Sequence, residues 1–183
     1  MERVKERLVF DYTMESLLQV LGQPPPPEHL AGLVALGVDP SKPLLPAYTV
    51  ELYNRVMEFI ARQLLPHLPP DAAYFELGRE FMRAYRRTVM GRGVSSVTQR
   101  IGPHRALERM DRNFRSANNY TETRLHKVAV SHYELWFNHV THADYYRGLL
   151  TEALEKTGAQ QLAVTTASRE PHGEVTFRIL WKE

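Results

Sequence analysis

The sequence predicts an α+β fold, with a helical N-terminal two-thirds followed by a β-β-α-β-β segment whose four strands form one antiparallel sheet packed on helices. Two patterns predict this class. Up to about residue 117, apolar side chains recur at the spacing of amphipathic helices, and after Asn118-Asn119 the apolar period falls to that of strands. The chain of 183 residues is long enough for one core and shows no internal boundary, so we expect a single domain over residues 1–183.

The first elements are separated by proline and glycine. Residues 7–12 predict a short strand, and Thr13 is expected to cap a helix that Gly22 ends. After four consecutive prolines, which cannot lie inside a helix, a second helix closes at Gly37. Residues 38–48 contain three prolines and are expected to form a loop.

Two long amphipathic helices follow. The first runs from Thr49 to Pro66, and the second is expected to use Asp71 as its cap. Gly78 lies on the apolar face of the second helix and predicts that another helix approaches closely there. Two shorter helices, separated by Gly102-Pro103, are expected at residues 94–100 and 103–116.

The C-terminal third has the apolar alternation of strands. Strands are expected at residues 120–128, 132–140, 161–168 and 175–181. Thr141-x-x-Asp144 resembles a capping box for the helix between the two strand pairs. Alternation along the first strand would place Tyr120, Glu122 and Arg124 on one face, where they could hold a polar ligand.

Arginine is concentrated in the middle of the chain. Between residues 79 and 115 there are ten arginines and three acidic residues, a local charge of +7 that leaves −5 on the remainder. Candidate anion-binding residues are Arg79, Arg83, Arg86 and Arg87, which share one arc of a predicted helix. They could bind phosphate, including that of nucleic acid, but no nucleic-acid-reading module is recognisable. We favour pairing with acidic residues of this chain or of a protein partner, because guanidinium suits carboxylate contacts.

Catalytic and metal-binding patterns are weak. His126, His132, His139 and His142 lie within 17 residues, yet their predicted faces differ and the chain has no cysteine, so we expect no metal site. No nucleophile elbow, P-loop or dinucleotide-binding glycine motif occurs. We therefore favour a protein that is not an enzyme. A catalytic triad assembled from distant parts of the chain would show no such sequence motif, so an enzyme stays an alternative.

Aromatic residues are the remaining candidates for a site. Those of the β region, together with aromatics of the helices, could line an apolar cavity or simply form the core. The candidate ligand-binding residues are Tyr120, Arg124, Trp136, Tyr85 and Phe81. A pocket for a typical ligand would need roughly 300 Å³ or more.

The expected location is cytoplasmic. The chain has no cysteine and no stretch that approaches the roughly 20 apolar residues of a membrane span. The N-terminal residues MERVKERLVF mix both charges without an apolar run, so they do not predict a secretory signal.

Several stretches of the sequence resemble a myxobacterial 19-kDa paralogous family with a domain of unknown function, and the resemblance covers essentially the whole chain. The stretches that carry it are "LGVDPSKPLLPAY", "FELGREFMRAYRRTVMGRG", "IGPHRALERMDRNFRSANNYTETRL", "ELWFN", "YYRGLL" and "TFRILW". More distantly, the order of elements resembles a superfamily of 4-vinyl reductase domains, effector-binding domains of aromatic-responsive activators, TRAPP trafficking-complex subunits and haem-based nitric-oxide sensors. That likeness implies an apolar pocket for a small aromatic, an acyl chain or haem, and several branches dimerise.

The haem-binding residues of such sensors can be compared with the residues of this chain. The sensors carry Tyr-x-Ser-x-Arg on a strand, which holds the haem propionates, and an axial histidine on the preceding helix. Here Glu122 replaces the serine, and a carboxylate beside propionates is repulsive. His104, the only histidine between His67 and Tyr120, lies beyond the edge of its helix's apolar face. We therefore expect no cofactor.

These observations favour a non-enzymatic regulatory module that acts by binding. It would be a protein–protein adaptor, which we favour slightly, or a sensor of a small apolar ligand. The alternatives are an enzyme or carrier acting on an apolar or tetrapyrrole-like molecule, and an anion or nucleic-acid binder that uses the arginines. A protein partner or a homodimer is expected.

Overall fold

The computed structural model describes residues 6–182, without the side chains of residues 98 and 99. Residues 1–5, half of the stretch that argues against a secretory signal, lie outside the described residues. The elements are β1 (Leu8–Phe10), α1 (Asp11–Leu18), a short 3-10 helix (Gln19–Leu21), α2 (Pro27–Leu36), β2 (Ala47–Thr49), α3 (Val50–Leu64), α4 (Pro70–Tyr85), α5 (Val89–Glu108), α6 (Met110–Ala117), β3 (Thr123–Ala129), β4 (His132–Phe137), α7 (Ala143–Glu155), β5 (Gln160–Arg169) and β6 (Val175–Lys182). The predicted α+β class and order of elements are confirmed.

The main sheet is antiparallel throughout, with strand order β3-β4-β6-β5. Its inner face packs on the helices, and on β6 the predicted apolar face of Val175, Phe177, Ile179 and Trp181 is buried. The alternate residues of β6 point to the outer face, where Arg178 is exposed. This alternation follows from the pleat, which sends successive side chains to opposite faces.

Helices α4 and α7 cross at glycine, as Gly78 predicts. A Cβ on Gly78 would overlap the carbonyl oxygen of Tyr145, and a Cβ on Gly148 would overlap the carbonyl oxygen of Phe75. Two backbones can meet this closely only where both helices lack a side chain at the crossing. The crossing sets the positions of both helices over the sheet.

A small sheet at the N-terminus was not predicted. Strand β1 pairs antiparallel with β2, so the end of the expected loop 38–48 is a strand. A strand of three residues is too short to show a period, which is why the sequence pattern missed it. Asn118 forms a β-bridge with Val9, so the predicted joint between helices and sheet is held against β1.

Three predicted helix caps are wrong. Thr13 lies inside α1, and its hydroxyl donates to the carbonyl of Ala117 at 3.1 Å. Helix α4 begins with Pro70 and has no side-chain cap, so Asp71 lies in its first turn. Helix α7 begins after His142, while the hydroxyl of Thr141 accepts from Asn54 at 3.1 Å, so the capping box does not form. In each case the side chain either lies within the helix or bonds to a distant element.

Helix α5 differs most from the prediction. It begins at Val89, where Thr88 caps it by accepting from the amide of Gly91 at 3.0 Å. The helix is interrupted at Gly102, whose φ of 77° is a conformation that glycine adopts readily. The part of α5 after Gly102 is buried through Ala106 and Leu107. In the part before it, residues 89–101, most of the described side chains are exposed.

Among the residues that the structure describes, no helix combines the length and the apolarity that crossing a bilayer requires.

Candidate functional site

The structure contains a largely apolar cavity, partly open to solvent, between α4, α5, α6 and α7, with a volume of about 100 Å³. Phe81, Met82 and Tyr85 of α4 form one wall, and Leu149 and Ala153 of α7 form another. These side chains face inward because both helices present their apolar stripes to the crossing. We call this space the first cavity.

One wall of the first cavity comes from the exposed part of α5. Val94 and Ser95 face the cavity, although most of residues 89–101 is solvent-exposed. The cavity is therefore closed on this side by a helix segment whose outer side lacks packing within the described part of the chain. Such a segment can move at lower cost than a helix packed on both sides.

A second cavity of about 60 Å³ lies closer to β1 and the start of the sheet. Phe81, Phe114 and Leu149 line both cavities and separate them. Polar side chains, most of them tyrosines and histidines, line much of the second cavity: Tyr53, Tyr120, Tyr145, Tyr146, His139, His142, Thr13, Asn54, Asn118 and Thr141. The second cavity is thus a hydrogen-bonding space next to an apolar one.

The groups around the second cavity are neutral. The hydroxyls of Tyr53 and Tyr145 lie 3.0 Å apart in the interior, and burial raises the pKa of both. Burial likewise raises the pKa of Tyr146 to about 12. Burial lowers the pKa of His142, although Glu58 opposes the shift. The cavity therefore offers hydrogen bonds without charge at neutral pH.

The size of the cavities restricts what they can hold. Neither cavity reaches the roughly 300 Å³ of a pocket for a drug-sized ligand. The first is nearer to an engineered apolar cavity of about 150 Å³ that binds benzene. As the helices stand, the arrangement suits a small apolar molecule.

The predicted ligand-binding residues divide into two groups. Phe81 and Tyr85 line the first cavity, and Phe81 and Tyr120 line the second. Arg124 and Trp136 lie on the outer face of the sheet, where the guanidinium lies 4.5 Å from the centre of the indole ring. Only the first group meets at a common space. Whether any of the five binds a ligand stays a prediction.

The expected shared face of Tyr120, Glu122 and Arg124 is wrong. Strand β3 begins only at Thr123, so alternation does not extend back to Tyr120. The side chain of Asn118 accepts from the amides of Tyr120 and Thr121, and this turn precedes the strand. Tyr120 thereby lines the second cavity, while Glu122 and Arg124 are exposed.

Three of the candidate anion-binding arginines surround one carboxylate of the chain. Glu152 on α7 is 2% exposed and forms ion pairs with Arg79 and Arg83, each at 3.1 Å, and with Arg86. Burial raises the pKa of Glu152, but hydrogen bonds from Arg86 and Arg83 outweigh it and hold the pKa below its usual range. An external anion would have to compete with this carboxylate, and these three arginines pair within the chain, which is one of the two favoured alternatives.

Arg87 differs from the other three. It is exposed, and its guanidinium donates to the carbonyl of Gln19 at 3.4 Å. Binding of an external anion by the four arginines stays a prediction.

Some residues of the site were not predicted. Tyr53, Glu152 and Ala153 lie within helices. Helical periodicity does not distinguish them from ordinary core or surface residues. The partner of Glu152 lies far away in the chain, since Arg86 is 66 residues distant. No local pattern in a single sequence could therefore have identified these residues.

The fold is similar to that of H-NOX domains. A structure from work on H-NOX activation has a TM-score of 0.71 at 14% identity, over 93% of this chain and 95% of that chain. An H-NOX mutant from T. tengcongensis has a TM-score of 0.69 at 15% identity, over 94% and 96%. An oxygen-binding H-NOX domain related to soluble guanylate cyclases has a TM-score of 0.68 at 17% identity, over 94% and 92%. The resemblance to haem-based sensors is thus confirmed for the fold.

Two further similar structures concern haem and its distortion, one of them in the H-NOX family. The histidines and cavities of this chain show whether haem would fit. His104 lies outside both cavities: its Nδ1 is 2.9 Å from the Tyr133 hydroxyl, and its ring contacts Trp181 edge to face. His139 and His142 line only the smaller cavity, where His142 stacks on Tyr74. With cavities of about 100 and 60 Å³, the arrangement does not fit haem.

A metal ion is not supported either. In residues 6–182, no group of three or more histidine, aspartate or glutamate side chains is placed to hold one. His126 is exposed on β3, whereas His142 is stacked on Tyr74.

Sequence comparison gives the family but no activity. No sequence among the curated proteins matches the chain. The model of the family described as "Protein of unknown function (DUF2378)" matches residues 7–182, nearly the whole chain. The predicted membership in a family of unknown function is therefore confirmed, and the chain belongs to the DUF2378 family.

Proposed function

We propose that this chain is a non-enzymatic regulatory module that binds a small apolar molecule in the first cavity. The observation that carries the proposal is the cavity of about 100 Å³ between four helices, lined by Phe81, Met82 and Leu149. Apolar cavities of this kind gain binding energy when an apolar ligand replaces empty space. The H-NOX fold adds support, because structures with this fold include an oxygen-binding domain.

Helix α5 is the element that would transmit binding. Val94 faces the cavity while Val89 and Val97 on the same helix are exposed. A ligand that binds more tightly when Val94 is displaced shifts the population towards a different position of α5. Gly102 provides the break about which residues 89–101 would move.

The test compares cavity filling with a surface control. Ala153→Leu places added methyl groups in the first cavity, and Ala167→Leu adds the same groups on the exposed strand β5. Benzene and indole are titrated against each variant, and the Tm is followed. At ten times its Kd, a probe should stabilise the wild type and Ala167→Leu by about 1.4 kcal/mol, roughly 3–6 °C in Tm. Ala153→Leu should lose this response.

Native mass spectrometry of the purified protein completes the test, because a retained molecule would show as added mass. The proposal is overturned if no apolar probe raises the Tm and no mass is retained. An equal response of Ala153→Leu and Ala167→Leu would place binding elsewhere in the chain.

The second candidate is the protein–protein adaptor. The observation that favours it is the exposed apolar surface of α5, where Val89 and Met90 meet solvent. Apolar surface of this kind commonly marks a contact with another protein. Both candidates use α5, one through its inner side and the other through its outer side.

Other expectations stay predictions. An enzyme or carrier for a tetrapyrrole-like molecule has less support, because neither cavity approaches roughly 300 Å³. Myxobacterial origin, relationship to vinyl reductase or TRAPP subunits, and cytoplasmic location also stay predictions.

A further inference from the structure

Helix α5 carries an apolar ridge that faces solvent. We define the α5 ridge as Val89, Met90, Gly93 and Val97, which fall within one arc of about 100° on the helix. The three large side chains are 82%, 48% and 43% exposed. A helix face with this composition is normally covered by another element, but here it lies open in the described part of the chain.

Gly93 in the middle of the ridge has no role within the described residues. Glycine weakens a helix relative to alanine, so it is normally kept where space demands it. A Cβ on Gly78 or Gly148 would overlap a neighbouring backbone, whereas a Cβ on Gly93 would meet nothing within 4 Å. On an exposed helix face, such a glycine permits the close approach of a second helix from outside.

The α5 ridge forms one side of a surface groove of about 730 Å³ between α1, α5 and α6, since all four ridge residues line it. Its walls carry opposite charges, with Asp11 and Glu15 on α1, Arg109 between α5 and α6, and Arg112 on α6. None of these four side chains forms an ion pair with another described residue; Glu15 accepts a hydrogen bond from Gln19. The groove therefore presents an apolar floor between an acidic and a basic wall, both unneutralised.

We propose that two copies of this chain associate through this surface about a two-fold axis, with the α5 ridge of one copy packed on the α5 ridge of the other. A two-fold contact pairs the same patch with itself, so the acidic wall of one copy can face the basic wall of the other twice. A second copy supplies the apolar ridge, the close-approach glycine and both charge signs together. This inference stands apart from the proposed ligand and requires nothing in the cavity.

The experiment exchanges the charges of the two walls. The acidic-wall variant is Asp11→Lys/Glu15→Lys, and the basic-wall variant is Arg109→Glu/Arg112→Glu. Sedimentation velocity over a range of concentrations should show a wild-type dimer, and each variant alone should associate at least tenfold more weakly. An equimolar mixture of the two variants should recover the dimer, because every contact between unlike copies is again attractive. The chain with all four substitutions should also recover it.

A glycine variant tests the close approach without changing charge. Gly93→Leu should weaken the dimer at least tenfold, while circular dichroism shows an unchanged helix content because the site is open in the monomer. A wild-type chain that is monomeric up to millimolar concentration overturns the inference. So does a dimer that withstands all these variants, and so does a monomer that captures a different protein on this ridge.

Discussion

At the scale of single residues, the most consequential side chain is Glu152. A carboxylate that is only 2% exposed would ordinarily be too costly to keep ionised, and here Arg79, Arg83 and Arg86 surround it. Arg79 and Arg83 lie on α4, Arg86 directly follows it, and the carboxylate comes from α7, so the cluster joins these two helices. Three arginines of the arginine-rich segment therefore form ion pairs within the folded chain.

We expect Glu152→Gln to lower the free energy of unfolding by about 3 kcal/mol, because three guanidinium groups lose their shared anion. The folded pKa of Glu152 is lowered, so its contribution is complete above the unfolded pKa and is lost as pH falls through the folded pKa. Urea unfolding from pH 7 down to about 3 should therefore show a steeper loss of stability in the wild type than in the variant.

Glu155→Gln is the matched control, since Glu155 is 39% exposed and pairs with Arg79 alone. It should cost no more than about 1 kcal/mol. Equal losses in the two variants would show that the burial of Glu152 contributes nothing special.

At the scale of elements, the α4–α7 crossing and α5 show two different uses of glycine. Gly78 and Gly148 lie where backbones touch, whereas Gly93 lies on an open surface. The apolar period of α4 predicted its buried face, and the glycine within that face predicted the contact. The outer part of α5 was harder to predict, because Val89, Met90 and Val97 are exposed and its start depends on the Thr88 cap.

We expect Gly148→Ala to lower the free energy of unfolding by about 3 kcal/mol or more, because the added methyl group meets the backbone of α4 and neither helix can yield locally. Thermal and urea unfolding measure the change. Gly93→Ala is the control and should add up to about 1 kcal/mol through helix propensity.

Because Gly93 lies on the surface proposed for self-association, this pair is compared in the Arg109→Glu/Arg112→Glu background. A neutral effect of Gly148→Ala would show that α4 and α7 do not meet at this point.

At the scale of the whole molecule, one core connects the helices to the inner face of the sheet. Phe114 of α6 contacts Phe137 of β4 edge to face, with 5.0 Å between the ring centres. Phe137 in turn contacts Phe177 of β6, with 5.6 Å between the ring centres. Buried side chains of the helical and β segments thus belong to one hydrophobic core. The predicted single domain stays a prediction that unfolding can test.

We expect unfolding in a single cooperative transition. Both tryptophans, Trp136 and Trp181, lie in the sheet, whereas far-ultraviolet circular dichroism is dominated by the helices. Coincident fluorescence and dichroism midpoints in urea would support one domain. Two separated midpoints would divide the chain into a helical unit and a β unit.

The features that depend on local pattern could be predicted from the sequence. The α+β class, the order of the elements, the buried face of β6 and the glycine contact of α4 all follow from which side chains recur at helical or strand spacing. Each depends on neighbours within one element, so a single chain contains the information.

The candidate site, in contrast, depends on how distant elements pack. The tertiary structure placed Tyr120 against a cavity and Arg124 on the opposite side of the sheet, and it brought Arg86 to Glu152 across 66 residues. It also set the cavity volumes and opened the α5 ridge to solvent. Cavities, ion pairs and uncovered faces arise where distant elements meet, and packing between those elements, not periodicity along the chain, determines them.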